Sequence, residues 1–352
     1  MNDFTEWLNS PIAELDTAIQ LAATERQQQL TKPAGSLGQL ESIAIQLAAM
    51  QATLYPCVDK VQISVFASDH GVVAEGVSAF PQAVTAEMVR NFSRGGAAIN
   101  VLANEAKANL SVINVGTVAQ LESLNAVEDL RIAAGTANFS QQAAMTESQC
   151  QQAILIGRDN VAQAQQAGIQ LFIGGEMGIG NTTSATAIAC ALLNIAPEKL
   201  TGAGTGLDSQ GIKHKSAVIK KALETHQQSL KSPLVILQYL GGFEIAALVG
   251  CYLHCAKIGL PVLIDGFISS VAALVAQRIE PACRQWFLFS HQSAELGHKV
   301  ILAELNATPI LAMQLRLGEA SGAATALPLI RLSCALHQSM ATFSEAAVSE
   351  QS

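Results

Sequence analysis

The stretch GGEMGIGNTTS sets Gly174, Gly175, Gly178 and Gly180 around one carboxylate, Glu176, between the apolar run IQLFI and the run SATAIACALL. Glycines let a backbone approach a ligand closely. The first turn of a following helix offers unpaired N–H groups and the positive end of its dipole, which suits an anion such as a phosphate. A glycine turn that serves only to pack helix on strand has the same composition. The stretch is no Walker A loop, because it lacks Gly-Lys-Ser/Thr. Nor is it a dinucleotide fingerprint, because Gly178-Ile-Gly180-Asn-Thr-Thr183 has no third glycine. Glu176 would repel a phosphate, so its expected partner is a cation or a hydroxyl.

A second loop, TGAGTGLDSQGIKHKSAVIKKAL, supplies Gly202, Gly204, Thr205 and Gly206, then Asp208, then a run of helical spacing with Lys213 and Lys215. Two backbone cradles and one lysine could share a phosphate monoester; a lysine on a solvated helix face is the alternative. In LRLGEASGAATALPLI, Glu319 lies between glycines and small residues ahead of an apolar run. A carboxyl in low-dielectric surroundings has a raised pKa, which fits a general base working near neutrality. A glutamate that merely complements a helix dipole is the other reading. Asp69 and His70 in ASDHG are adjacent at a strand end and should face opposite ways, which favours shaping the loop over joint catalysis. Ser293 in SHQSAELGH reads as a substrate contact, and Asp265 and Glu295 as structural.

These loops need elements to hold them. Six apolar, β-branched runs end in polar or glycine-bearing loops: VQISVFASDHG, LSVINVGT, IQLFIGGEMG, LVILQYLGGFE, LPVLIDGFISS and WFLFSHQSAELGH. Strands of this type alternating with helical spacing predict an α/β fold, a Rossmann-like mostly parallel sheet flanked by helices. Such sheets bind ligands beyond the carboxyl ends of their strands, so the loops should share one pocket. IAELDTAIQLAATERQQQLTK and PAGSLGQLESIAIQLAAM predict two amphipathic helices split by a Pro/Gly turn, and ELGHKVILAELNATPILAMQLRLGEASGAATALPLIRLSCALH also reads as helical. The expected organisation is a large α/β domain over 60–290 with a small helical domain built from 1–59 and 291–352. The run from Ile245 to Ile264, broken by His254, Lys257, Gly259 and Pro261, predicts a buried helix and a buried strand rather than a membrane span. NFSQQAAMTESQCQQAI is expected to be exposed helix or loop, and SEAAVSEQS to fray.

Half of the 352 residues are hydrophobic, 14% are charged, and the net charge is −8. An acidic surface argues against nucleic acid, which needs clustered Lys and Arg, and points to small-molecule partners. The start of the chain shows no basic segment followed by an apolar core, and seven cysteines lack paired spacings, so a cytoplasmic protein with reduced thiols is expected. Cys251 and Cys255 read as small buried residues, not a metal site.

Together with TKPAGSLGQLE and DHGVVAEGVSAFPQAVTAEMVRNFSRGGAAINVLA, the three motifs resemble the nicotinate-nucleotide:dimethylbenzimidazole phosphoribosyltransferase family, from about Lys32 to Leu329. The resemblance implies transfer of phosphoribose from nicotinate mononucleotide to 5,6-dimethylbenzimidazole by a homodimer, with inversion and without a metal or cofactor. The reaction belongs to assembly of the cobalamin lower ligand. It implies that Glu319 is the general base, that Glu176 and Lys215 are active-site residues, and that Phe80, Gln82, Met88 and Leu317 line the base pocket. GAGTG stands where the family pattern suggests GRGTG, so Ala203 removes a phosphate-side cation. Other acceptors, such as adenine or another benzimidazole, and a nucleotide sensor without turnover are the alternatives.

Overall fold

The computed structural model describes residues 3–349. Six strands form one sheet: β1 Val61–Ser68, β2 Asn109–Gly116, β3 Val127–Asp129, β4 Leu171–Met177, β5 Val262–Ile264 and β6 Phe287–Phe289. Their spatial order is β3-β2-β1-β4-β5-β6, and every pairing is parallel. β1 and β4 are buried along nearly their whole length, which is why they read as continuous apolar runs. The strand order reverses direction between β1 and β4, the point in such sheets at whose carboxyl ends ligands bind.

Two elements differ from the sequence expectation. LVILQYLGGFE is not a strand; Pro233–Leu240 is a helix. Ser232 caps it by accepting the Val235 N–H, and Pro233 occupies the first turn, where its missing N–H costs nothing. A short apolar run does not distinguish a buried helix from a buried strand, and here the Ser-Pro start decides. The missing sixth strand is β3, whose Glu128 and Asp129 are exposed at the sheet edge.

The segment Ile245 to Ile264 is a buried helix and strand as expected. Phe243–Ile258 ends on Gly259 in the left-handed region, and Pro261 precedes β5. This helix crosses Glu147–Gln166 so closely that a Cβ on Gly157 would strike the Ala247 carbonyl, and one on Gly250 the Ile154 carbonyl. The segment preceding and opening Glu147–Gln166 is less exposed than expected, since Phe139, Ser140 and Cys150 are buried. All seven cysteines are free thiols, and Cys251 and Cys255 are fully buried.

Thr17–Gln29, capped by Asp16, and Gln39–Met50 pack together, and Ser321–Ser339 packs on Gln39–Met50. Arg26 donates to the His337 carbonyl at 2.8 Å, and Leu30 bridges Thr342. Residues 305–320 are not helical. Pro309 and the positive φ angles of Asn306, Gln314, Gly318, Glu319 and Ala320 break the pattern. Residues 342–348 do not fray: Phe343 N–H donates to the Gln29 carbonyl at 2.9 Å, and Glu345 accepts the Thr342 N–H at 2.8 Å. Residues 350–352 of that expected tail lie outside the described residues.

Candidate active site

A cavity of about 270 Å³ lies at the carboxyl ends of β4, β5 and β6. Glu176, Gly178, Gly204, Thr205, Ser293, Phe80 and Leu317, all expected from the sequence, line it. Phe80 and Leu317 are about half exposed and form an apolar edge. Beyond Glu176 and Glu295, the charged or titratable groups in the wall are His291 and Arg316.

The first glycine loop works as a close approach of backbones. Gly175 has no space for a side chain, because Ala320 N would lie 2.7 Å from a Cβ there, and Gly178 abuts the Ser68 carbonyl. Gly180 holds φ 98° at the start of Asn181–Leu193, whose first residues, Asn181 and Thr182, line the cavity, while the Asn181, Thr183 and Ser184 N–H groups donate to the Gly178 and Gly180 carbonyls. Gly180 itself lies behind the wall, packed towards His70 and Val73.

Glu176 is buried and far from ordinary behaviour. Burial, then the fields of Asp265, Glu244 and Glu319, push its carboxyl well above the usual range. It hydrogen-bonds the Asn181 amide and the backbone of Glu319. A Cβ on Gly318 would come within 2.5 Å of Glu176 Oε1, so the glycine before the expected base is required by the neighbouring acid.

Asp208 of the second loop caps Ser209–His226, accepting the Gly211 N–H at 2.8 Å. That helix turns Lys213 to solvent and buries Lys215. Lys215 Nζ donates to Thr182 Oγ1 at 2.8 Å and would meet a Cβ on Gly204 at 3.2 Å, so it joins both glycine loops from behind. Burial lowers its pKa to about 8, opposed by the Glu295 carboxylate. Gly206, at φ 118°, has open space around it and lies outside the wall. Arg316 Nη1 reaches the Gly204 carbonyl at 3.4 Å, so a cation approaches this loop although position 203 is alanine.

Glu319 is buried beside the wall segment Leu317-Gly318, and its Oε2 has no hydrogen-bond partner among the described residues. Burial first, and the Asp265 charge second, raise its pKa to about 7. A carboxyl that exchanges its proton at neutrality, next to an apolar edge, is equipped to take a proton from a flat ring.

Gln82 and Met88 lie outside the wall. The Gln82 amide donates to the His70 carbonyl at 2.7 Å, and Met88 is half-buried against the core. Asp69 and His70 do part company: Asp69 accepts the Val118 N–H at 2.7 Å, and His70 Nε2 meets Glu244 Oε1 at 2.7 Å in a fully buried pair. Sequence reasoning passed over Asn181, Thr182, His291 and Arg316. The helix start after Gly180 and the position of His291 at a strand end are the signals that could have found them.

The family model described as phosphoribosyltransferase matches residues 12–348. Nicotinate-nucleotide–dimethylbenzimidazole phosphoribosyltransferase of Pseudomonas putida KT2440 is 58% identical over 98% of both chains. The protein of the same name from Pseudomonas aeruginosa PAO1 is 56% identical over 98% of this chain and 99% of that one. The crystal structure of CobT from Thermus thermophilus superposes with a TM-score of 0.91 at 41% identity, covering 95% of this chain and all of that one. The chain belongs to the nicotinate-nucleotide–dimethylbenzimidazole phosphoribosyltransferase family. It is a pentosyltransferase with the family's α/β fold. Among the described residues no helix is long and apolar enough to cross a membrane.

Proposed function

We propose that this chain transfers phosphoribose from nicotinate mononucleotide to 5,6-dimethylbenzimidazole, giving α-ribazole 5′-phosphate and nicotinate for the cobalamin lower ligand. The Pseudomonas relatives bear the name of this activity over nearly the full chain. The observation that carries the reading is Glu319, a desolvated carboxyl with an unpartnered oxygen, which follows directly on the wall residues Leu317 and Gly318.

The backbone of the loops around Gly178 and Gly204, with Thr205, holds the phosphate, and Ser293 contacts the donor. Lys215 and Glu176 orient the ribose or nicotinate end. As the bond from C1′ to the pyridinium nitrogen breaks, its electron pair returns to the nicotinate ring and oxocarbenium character develops at C1′. A benzimidazole nitrogen, its ring against Phe80 and Leu317, donates its lone pair from the opposite face and inverts the centre. Glu319 takes the proton from the second ring nitrogen, so no second positive charge accumulates in the apolar slot. Fixing both reactants in this geometry supplies much of the rate. The working form we infer is a cytoplasmic homodimer.

Chromatography of purified protein with both substrates, beside Glu319→Gln, tests this. Stoichiometric nicotinate and α-ribazole phosphate are expected, with the variant slowed by about 10²- to 10⁴-fold. Turnover with adenine or another benzimidazole alone would reassign the acceptor, and no turnover with any base would leave a nucleotide sensor.

A further inference from the structure

Glu319 and Ala320 both hold left-handed torsions, φ 60° and 64°, and neither is glycine. Such torsions are strained for any residue but glycine and persist where the surroundings over-determine them. Ser321–Ser339 begins at once, with Ala320 at its N-cap, and alanine has no side chain to satisfy the first-turn N–H groups. The cap comes from across the fold. Asp265, which follows β5, accepts the Ala323 N–H on Oδ1 at 2.8 Å, and the Gly322 and Gly266 N–H groups also serve its carboxyl.

We propose that Asp265 is the positioning residue for Glu319: a helix cap supplied in trans that holds the strained Glu319–Ala320 turn and keeps a negative charge behind the base. The proposal rests on reading Glu319 as that base. Its frame is tight. His291 Nδ1 lies 3.9 Å from Asp265 Oδ1, and the His291 ring fills the space a side chain on Gly322 would need.

The titratable and charged groups around this turn are Glu176 on β4, Asp265 after β5, and His291 and His298 after β6. Glu244, with its partner His70, and Tyr252 lie on or against the Phe243–Ile258 helix, and Arg316 shares the turn's own loop. Asp265 is the acid whose field reaches Glu319. Burial raises the carboxyls of Glu176 and Asp265 alike, but at Asp265 His291 and the N–H groups of Ala323, Gly266 and Gly322 oppose it.

Asp265→Asn keeps an acceptor for Ala323 and removes the charge; Asp265→Ala removes both. Nicotinate mononucleotide binding by calorimetry reports whether each variant is folded, and if the alanine variant is not, the asparagine variant decides alone. The asparagine variant should bind the mononucleotide within about threefold of wild type, as a merely structural residue would not predict alongside a changed pH profile. The acid limb of its kcat should move down by about one pH unit. The alanine variant should lose about 10- to 100-fold in kcat through misplacement of Glu319. An acid limb that stays in place in Asp265→Asn overturns the proposal. Glu319→Gln, run alongside, separates the two readings: if its residual activity keeps the wild-type acid limb, the assignment of the base fails instead.

Discussion

Glu319 is costly to the fold in the form the chemistry needs. Its folded pKa of about 7 lies above the ordinary 4.5, so its contribution to stability is whole below 4.5 and is lost as pH rises through 7. Glu319→Gln should therefore be more stable than wild type at pH 8, by on the order of 2 to 3 kcal/mol, and the two should converge near pH 5. Thermal melts at the two pH values check this, and equal melting temperatures at pH 8 would place an ionised, solvated carboxyl there. The residue's identity was legible in the sequence because glycine and small neighbours announced a buried acid. Its left-handed backbone and its cap were not, since Asp265 is remote in sequence and a capping motif is readable only between near neighbours. The place of Gln82 in the base pocket came from the family resemblance alone; in the structure its amide donates to the His70 carbonyl.

At the scale of elements, the sheet was readable where burial leaves its mark. β1 and β4 are mostly apolar, buried strands that end in chemistry, and their neighbouring order places Asp69 and the Glu176 loop on one edge. The helix Pro233–Leu240 was misread because an all-apolar stretch carries no period, and β3 went unseen because a short edge strand needs no apolar face. The crossing of Glu147–Gln166 with Phe243–Ile258 depends on absent side chains. Gly157→Ala puts a methyl into the Ala247 carbonyl. It should cost about 1 to 3 kcal/mol, visible as a lower denaturant midpoint. An unchanged midpoint would mean that the two helices can separate at no cost.

The whole molecule joins its two ends: Arg331 on Ser321–Ser339 donates to the carbonyls of Val58 and Asp59 just ahead of β1, and Arg26 to those of His337 and Gln338. The proposed homodimer is tested at this scale. Sedimentation of the purified chain should give about twice its 36.9 kDa, and a single 36.9 kDa species at micromolar concentration would remove the dimer from the reading. The strained turn at Glu319 also has a consequence in time. On the ribosome all six strands, both glycine loops and the capping carboxylate emerge before the turn and its helix do. A nascent chain thus acquires the cradle for its donor before the group that drives transfer, so the emerging sheet has no means of spending the mononucleotide until the turn is made.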